Sequence, residues 1–413
     1  MEIEYPTLSL RERDRRWGLC RELMKSVGLD CLMVAGLNGM EQLDGYITND
    51  FMHGMVFFSQ DEEPTFLTWS ASYITRHMED IRRGGTGWLS DIRVGANASD
   101  WVSILKEKGF DSATIGVVGL ESGVPGAPEG YIPYKSWAYV LEHLPGVTFI
   151  EVTPAFAELM MVNSEEEQKL IRHAALIGEM ACEAMLEITR PGVTEGEIYA
   201  TILSVNYSHG ATAISPYLIL QSGVDNPSWQ EPIWTYKARR PRTIEKGDLV
   251  QAELFQRYGG KDAQQQMSIA LKTLHPVNQE LADLARRSYE IGLKALRPGR
   301  RFEDVVKEME VPILEAGGWY LTPLLHTFNP LMGAAGRTQV GIEQVPGILE
   351  YKGIQGRKTR GADVVLKPGT TFSMQPNACR GRHRVNIGGT VMLTESGVEE
   401  LNKLPTFMQV IDL

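Results

Sequence analysis

Two basic clusters stand out in a chain that is acidic as a whole. One is Arg380-Gly-Arg382-His383-Arg384, and the other is Lys237-Ala-Arg239-Arg240-Pro-Arg242. Clustered guanidinium groups attract anions and can bind a carboxylate in a bidentate manner. Charged loops of this kind also occur as ordinary solvated surface. Two interpretations therefore stay open: a solvated surface, or a positive rim in which Arg382 and His383 help to bind a carboxylate-bearing small molecule.

Composition and motifs exclude several classes of function. The 413 residues include 41 Lys+Arg and 52 Asp+Glu, a net charge of −11, which argues against a nucleic-acid partner. No apolar run is long enough for a membrane span, and the charged first twenty residues lack the apolar segment of a secretory signal. Four widely spaced cysteines favour reduced thiols and a cytoplasmic location. The phosphate-loop, dinucleotide, H-E-x-x-H and G-x-S-x-G motifs are absent.

Helical and strand patterns alternate in the first 160 residues. Apolar spacing predicts a helix that ends at Gly28, and short apolar runs predict buried strands. The predicted strands are Cys31–Gly36, Met55–Phe58, Thr65–Trp69 and Thr114–Leu120, and the predicted helices are Leu10–Val27, Ser70–Arg83 and Ser136–Leu144. This order indicates an α/β domain over residues 1–160 with a mixed or parallel sheet. A long helical period after Asn163 opens a second domain, residues 161–413.

The second domain contains an internal repeat. TRPGVTEGEIYATIL resembles LRPGRRFEDVVKEME with the prolines 107 residues apart, and Ser215-Pro-Tyr217 matches Thr322-Pro-Leu324 at the same offset. Farther on, GDLVQAE matches GTTFSMQ at an offset of 122, so we expect a longer loop in the second copy near residues 353–361. A duplicated unit predicts a site shared between its two halves.

Four segments resemble a known superfamily. MVNSEEEQKLIRHAA, KGDLVQAELFQRYGG, LLHTFNPLMGAAGR and LKPGTTFSMQP are similar to segments of creatinase, aminopeptidase P and methionine aminopeptidase. The resemblance implies an α/β N-terminal domain followed by an α+β "pita-bread" domain, duplicated about a pseudo-twofold axis. It also implies a homodimer in which the stretch Tyr46–His53 approaches the neighbouring subunit's pocket, so that His53 is a candidate substrate-binding residue.

The peptidase members of this superfamily hold two metal ions with Asp, Asp, His, Glu and Glu. Carried over one by one, these positions fall on Glu253, Gln264, His326, Gln375 and Gly388 of this chain. Two dications need several carboxylates, and amide oxygens are weak replacements in a transition-metal site. The resemblance therefore implies no metal ligands and no cofactor, with one carboxylate and one imidazole left for the chemistry.

Creatinase is a member that works without metal, and two residues of this chain resemble its substrate-contacting residues. His326 and Arg337, eleven residues apart, reproduce the spacing of its substrate-contacting His and Arg, although its catalytic Glu is Gln375 here. We expect His326 and Glu253 to be catalytic and to lie within hydrogen-bond reach or one water apart. Gln264, Gln375 and Arg337 are candidate substrate-binding residues. Asp262 joins them if strand parity with Gln264 turns it inward, although a hairpin-tip carboxylate in water is the stronger alternative.

The residues and the resemblance together predict a hydrolase that cleaves a C–N bond of a small, polar, carboxylate-bearing molecule without metal. Three alternatives stay open. They are an Xaa-Pro peptidase or other metallohydrolase, a lyase of the dimethylsulfoniopropionate-lyase type, and a binding protein that has lost the reaction.

Overall fold

The computed structural model describes residues 4–36, 43–95, 97–121, 130–213 and 218–412. The chain forms two compact units, Pro6–Glu166 and Glu167–Leu413, the latter together with Met1–Tyr5. Each unit has its own core. None of the helices in the described segments combines the length and the hydropathy that crossing a lipid bilayer requires.

The first unit is an α/β unit around one mixed six-stranded sheet. Its strands are β1 (Cys31–Ala35), β2 (Gly54–Ser59), β3 (Thr65–Thr68), β4 (Asp91–Val94), β5 (Thr114–Val118) and β6 (Thr148–Glu151), in the order β4-β3-β2-β1-β5-β6. Its helices are α1 (Leu10–Val27), α2 (Gly45–Thr48), α3 (Ala71–Arg82), α4 (Ala98–Glu107), α5 (Tyr134–His143) and α6 (Thr153–Leu159). Separate apolar clusters cover the two faces of β1, which explains its uninterrupted apolar sequence. The four predicted strands and three predicted helices are confirmed to within two residues at each end.

The second unit repeats one order of elements. The first copy has α7 (Glu165–Ile188), α8 (Glu195–Ser208), β7 (Leu218–Gly223), β8 (Leu249–Tyr258) and β9 (Lys261–Leu271). The second has α9 (Pro276–Ala295), α10 (Phe302–Glu315), β10 (Leu325–Thr327), β11 (Thr371–Met374), β12 (Asn377–Arg380), β13 (His383–Asn386) and β14 (Gly389–Thr394). Strands β15 (Gly397–Glu400) and β16 (Gln409–Ile411) follow.

The backbone at matched glycines supports the repeat. Gly192 and Gly299, 107 residues apart, both have positive φ, and so do Gly247 and Gly369, 122 residues apart. Positive φ is accessible to glycine at little cost, so the same turn geometry accounts for the same residue in both copies. Ser215-Pro-Tyr217 lies outside the described residues. The longer connection of the second copy includes residues 353–361, as expected.

Two four-stranded sheets and a hairpin build this unit. The sheets run in the orders β16-β9-β8-β7 and β10-β11-β14-β15, and β12 pairs with β13. One face of β7, β8 and β9 is apolar and packs against α7 and α8 through residues such as Ile198, Leu220 and Met267. Because side chains alternate along a strand, the opposite face carries the polar residues of these same strands. That polar face is buried as well.

Candidate active site

A two-residue hairpin turn sets the register of the candidate site. Gly259 and Gly260 both have positive φ and join β8 to β9, with Tyr258 opposite Lys261. Such a turn needs glycine-like backbone angles and fixes which residues face each other. It places Glu253 directly opposite Gln266.

The two strands aim a row of polar side chains in one direction. Asp262, Gln264 and Gln266 alternate along β9 and are all buried, in agreement with the strand parity expected from the sequence. Thr390 of β14 fixes this row to the second sheet, because its hydroxyl contacts both the backbone N–H and the carbonyl of Gln264 at 2.9 and 3.1 Å.

Three glutamine amides form a network at the centre of the site. Gln266 Nε2 donates to Glu253 Oε1 at 2.7 Å and to Gln375 Oε1 at 2.6 Å. Gln264 Nε2 donates to the same Gln375 oxygen at 2.8 Å, and Gln375 Nε2 donates to the Pro323 carbonyl at 3.0 Å. The predicted residues Glu253, Gln264 and Gln375 are thus brought together, and Gln266 joins them.

Glu253 is a buried carboxyl whose charge is poorly solvated. Its side chain lies on the buried polar face of β7, β8 and β9, which, together with the buried residues that contact it, we call the polar layer, and it is 5% exposed. Burial raises the pKa of Glu253 to about 7, against the opposing effects of the Gln266 amide, the Arg384 charge and the Trp229 side chain. Both protonation states are therefore populated near neutral pH, as a proton-transfer group requires.

His326 is a buried imidazole that stays neutral at physiological pH. Burial lowers its pKa to about 4, although hydrogen bonds to the Thr327 carbonyl and the Gln375 side chain act in the other direction. Nδ1 lies 3.0 Å from the Thr327 carbonyl oxygen. Since a carbonyl only accepts, Nδ1 carries the proton, and the unprotonated Nε2 is the ring nitrogen left to face the Gln375 side chain.

Gln375 and Gln266 connect the two predicted catalytic residues. Gln375 hydrogen-bonds the His326 ring, and Gln266 links Gln375 to Glu253. Among the hydrogen bonds of the described residues, none joins Glu253 directly to His326. Of the two expected arrangements, the direct hydrogen bond is thus replaced by a relay of two amides, because the long Gln266 side chain reaches across from β9, and a separation by one water stays a prediction.

The residues at the five ligand positions do not fit a metal pair. Gln264 and Gln266 turn N–H groups, which cannot coordinate a cation, toward Gln375. Gly388 has φ of +126°, and a Cβ there would collide with the Met374 carbonyl, so no side chain fits this backbone. In the parts of the chain that the structure describes, no group of three His, Cys, Asp or Glu side chains is arranged to hold a metal ion.

Asp262 is buried, but its carboxylate is occupied. Arg257 lies opposite it on β8 and donates to both carboxylate oxygens at 2.6 and 2.7 Å. The alternative of a hairpin-tip carboxylate in water is wrong, because Asp262 is 1% exposed. Its predicted substrate-binding role stays a prediction, because each carboxylate oxygen already accepts from Arg257 in these contacts.

We expect Asp262→Asn to destabilise the catalytic unit without a specific effect on substrate binding. Removing one partner of a buried ion pair is strongly destabilising, by about 3–5 kcal/mol. Urea unfolding midpoints measure the loss. Asp363→Asn is the matched control, because Asp363 is 90% exposed and pairs with Arg301 at the surface, where such pairs contribute about 0–1 kcal/mol. Equal effects of the two substitutions would contradict the prediction.

Arg337 also has a partner within the protein. Its Nε and Nη2 donate to the two oxygens of buried Glu310 at 2.7 and 2.5 Å, and Tyr320 donates to the same carboxylate. A bidentate pair of this kind accounts for the residue without a ligand. The guanidinium is held by Glu310, and its predicted role in binding a substrate's charged end stays a prediction.

Part of the predicted basic rim has acidic partners: Arg242 pairs with Asp248 and Arg380 with Glu280. Arg382 is half exposed and pairs with Asp225 at 3.4 Å, and His383 contacts the Asn278 side chain at 2.9 Å and stacks on His275. Both lie at the outer turn of the β12–β13 hairpin. Arg382 and His383 are therefore placed outside the amide network, and their part in substrate binding stays a prediction.

His53 lies in the first unit. Its ring contacts Phe51 and Tyr73, with ring centroids 4.5 and 5.8 Å away, and its φ is +47°. Burial lowers its pKa, and the nearby Arg76 charge acts in the same direction. Its part in a neighbouring subunit's pocket stays a prediction.

Sequence reasoning missed two buried residues of the polar layer. Arg384 follows the outer turn, opposite Cys379, and its guanidinium lies 3.7 Å from the centroid of the Trp229 ring. The hairpin itself carries the signal: a turn at Gly381-Arg382 places Arg384 opposite a cysteine, a residue type that is usually buried. Trp229 has no comparable signal, because it lies in an irregular connection between β7 and β8.

Comparison with known proteins identifies the family. Residues 169–395 match metallopeptidase family M24. The chain is 23% identical to creatinase from Bacillus sp. (strain B-0618), over 97% of this chain and 92% of that protein. It is 22% identical to Xaa-Pro dipeptidase from Pyrococcus furiosus, over 67% of this chain and 72% of that protein. The structure of Xaa-Pro dipeptidase from Bacillus anthracis superposes with a TM-score of 0.73 at 20% identity, covering 97% of this chain and all of that one.

The structure of the prolidase from Pyrococcus horikoshii OT3 gives the same result for the fold. It superposes with a TM-score of 0.70 at 16% identity, over 94% of this chain and 98% of that one. More than half of the chain lies within the matched family segment. The protein therefore belongs to metallopeptidase family M24, within the creatinase and aminopeptidase P superfamily that the sequence segments indicate.

Proposed function

We propose that this protein is a hydrolase that cleaves a C–N bond of a small, polar, carboxylate-bearing molecule, and that it does so without a catalytic metal. One observation carries the proposal. A neutral imidazole and a carboxyl that titrates near pH 7 are connected through glutamine amides at the positions where family members carry metal ligands. The full-length similarity to creatinase is in keeping with it.

The two titratable groups have complementary tasks in this reaction. Neutral His326 can take a proton from the attacking water through Nε2, in exchange for its contact with Gln375, while Nδ1 keeps its own proton and donates it in a hydrogen bond to the Thr327 carbonyl. Glu253, whose pKa of about 7 leaves it protonated in part at neutral pH, can supply a proton to the departing nitrogen. Water adds to the carbon, the C–N bond breaks, and the amine leaves neutral.

The amides supply orientation rather than proton transfer. Gln264 Oε1 is buried and has no hydrogen-bond partner among the described residues. An unsatisfied buried acceptor is costly, so a substrate N–H in this position would be favourable. Because Gln266 and Gln375 hold one another in place, the site is organised before a substrate arrives.

A panel of guanidino, amidino and N-acyl acids tests the proposal. The expected result is release of an amine or urea-type product from at least one member, with water as the co-substrate. Mass analysis of the products separates hydrolysis from elimination, because only hydrolysis adds the mass of water. Binding of panel members without turnover would contradict the proposal and favour a binding protein.

An Xaa-Pro peptidase is the second candidate, because several relatives and structural neighbours carry that name. Peptidase activity of the metal-dependent type needs the ligand set that Gln264, Gln375 and Gly388 fail to supply. Xaa-Pro dipeptides in the presence of manganese, cobalt or zinc are the substrates to include. Turnover of these alone would reverse the order of the two candidates.

We further propose that the working unit is a homodimer in a cytoplasmic setting, with His53 of one subunit contributing to the other's pocket. Light scattering at micromolar concentration should give twice the 46.0 kDa of the chain. His53→Ala should raise KM for the substrate while leaving the mass unchanged. A mass of one chain at that concentration would contradict the prediction.

A further inference from the structure

A buried guanidinium lies beside the candidate active site. Arg384 is 1% exposed, and in the described part of the chain none of its three side-chain nitrogens donates to an oxygen or nitrogen atom, although its side chain contacts the Cys379 thiol. A buried guanidinium with a thiol as its acceptor is strongly unfavourable, and buried charges in proteins are normally paired. The position therefore calls for an anion.

Protein groups around Arg384 do not meet that need. The Cys379 thiol opposite it on β12 is a weak acceptor. Trp229 covers one face of the guanidinium, and a ring supplies attraction to the cation but no hydrogen-bond acceptor in the guanidinium plane. Glu253 attracts the charge of Arg384 electrostatically, but its carboxyl accepts hydrogen bonds from Gln266 and Trp229 rather than from Arg384.

Unsatisfied acceptors lie on the same polar layer. Gln251 Nε2 donates to the Arg384 carbonyl at 2.7 Å while Gln251 Oε1 has no partner, and Asn386 Oδ1, two residues along β13, also has none. Gln221, opposite Gln251 on β7, has an unpartnered Nε2. A ligand that satisfies this set carries a carboxylate for Arg384 and also N–H groups for the two amide oxygens.

We propose that Arg384, stacked on Trp229, is the binding site for the carboxylate of a small substrate that also carries an N–H group, such as an N-acyl or guanidino acid. This deepens the proposed function and rests on it for the choice of substrate class. It assigns the anion-binding role to Arg384, which has no acidic hydrogen-bond partner in the described part of the chain, rather than to Arg337 and Arg382, which have such partners.

Trp229 covers one face of the Arg384 guanidinium. Its ring is 7% exposed, whereas Ser228 and Gln230 on either side are exposed. The tryptophan thus inserts from a surface connection onto the guanidinium. A stacked, fixed guanidinium presents its planar fork to a carboxylate in two parallel hydrogen bonds, which an ammonium cannot do.

Calorimetric titration with matched probes tests the proposal without requiring turnover. The probes are acetate against acetamide, and N-acetylglycine against N-acetylglycinamide, each pair differing by one charge. The wild-type protein should bind at least one carboxylate about tenfold more tightly than its amide. N-acetylglycine should bind more tightly than acetate because it adds an N–H donor.

Three variants locate the site. Arg384→Met should reduce the preference for carboxylate over amide to within about twofold, and Arg384→Lys, which keeps the charge but not the fork, should retain only part of it. Arg301→Met, which removes a surface guanidinium paired with Asp363, is the control and should keep the full preference. Circular dichroism melting confirms that each variant is folded.

The outcomes separate this inference from the proposed function. A preference that survives in Arg384→Met, or a wild-type protein with no preference in either pair, would overturn the Arg384 site. A preference lost in Arg384→Met, in a protein that turns over no member of the acid panel, would support the site while the hydrolase proposal fails.

Discussion

Replacing His326 with alanine is expected to lower kcat at least about 100-fold while leaving the fold intact. General acid–base catalysis contributes roughly 10²- to 10⁴-fold, and His326 is the imidazole that the amide network connects to Glu253. The measurement is kcat on the panel substrate that is turned over fastest, with thermal unfolding as a check on folding.

His209→Ala is the matched control for that substitution. His209 lies at the end of α8 and contacts only the Val205 carbonyl of its own helix among the hydrogen bonds described for its ring. Its replacement should leave kcat within about twofold. A His326→Ala variant that keeps activity within about tenfold, less than about 1.4 kcal/mol of barrier, would reject the proton-transfer role.

Glu253→Gln is expected to lower kcat by a similar factor and to remove the pH dependence near neutrality. Gln resembles the protonated carboxyl in shape and can still accept the Gln266 N–H, so the network should survive. The wild-type rate should follow the pKa of Glu253, about 7, and the variant should show no such transition. A transition near pH 7 that persists in the variant would assign it to another group.

The same substitution has a predicted effect on stability. The pKa of Glu253 is raised on folding from 4.5 to about 7, so the folded state binds this proton more tightly than the unfolded chain does. The stabilisation from Glu253 is complete below pH 4.5 and is lost as the pH rises through 7. It amounts to about 3 kcal/mol by linkage.

Glu253→Gln should therefore gain stability relative to wild type as the pH rises from about 5 to about 8, by up to that amount. Urea midpoints at several pH values measure the difference. Glu308→Gln is the matched control, because Glu308 lies on α10, 49% exposed, in an ion pair with Arg300. The pH dependence of its stability should match that of wild type, and a Glu253→Gln variant that behaves in the same way would contradict the prediction.

The regular elements of the first unit follow from sequence, and the exceptions have a physical reason. Helix α1 begins and ends where the apolar spacing and Gly28 predict. Helices α2, α4 and α6 are missed, and so are strands β4 (Asp91–Val94) and β6 (Thr148–Glu151), which both lie at the edges of the sheet. An edge strand that is only partly buried lacks the continuous apolar run by which the central strands are found.

At the candidate site, residue types are predictable and partners are not. The sequence predicts that Glu253, Gln264, His326 and Gln375 meet, because each falls on a motif of the family. It does not reveal that Arg337 pairs with Glu310, which lies 27 residues earlier on α10. Choosing among arginines requires the positions of their carboxylates, and those are set by packing.

Arg384 is a second arginine whose surroundings the sequence does not reveal. In sequence it is one of three arginines in five residues, and only its place opposite Cys379 in a hairpin distinguishes it from Arg380 and Arg382. In the folded hairpin, Arg382 is exposed and pairs with Asp225, whereas Arg384 is buried beside Trp229. Gly388 is also informative only in three dimensions, where its backbone leaves no room for the carboxylate of metal-binding relatives.

The most direct test of a metal-independent site is activity before and after exhaustive chelation, combined with elemental analysis of the purified protein. The amide network and the absence of room at Gly388 predict less than stoichiometric metal and a rate that chelator does not change. One equivalent of zinc, manganese or cobalt, with activity lost to chelator and restored by that metal, would contradict the account and return the peptidase chemistry of the family to first place.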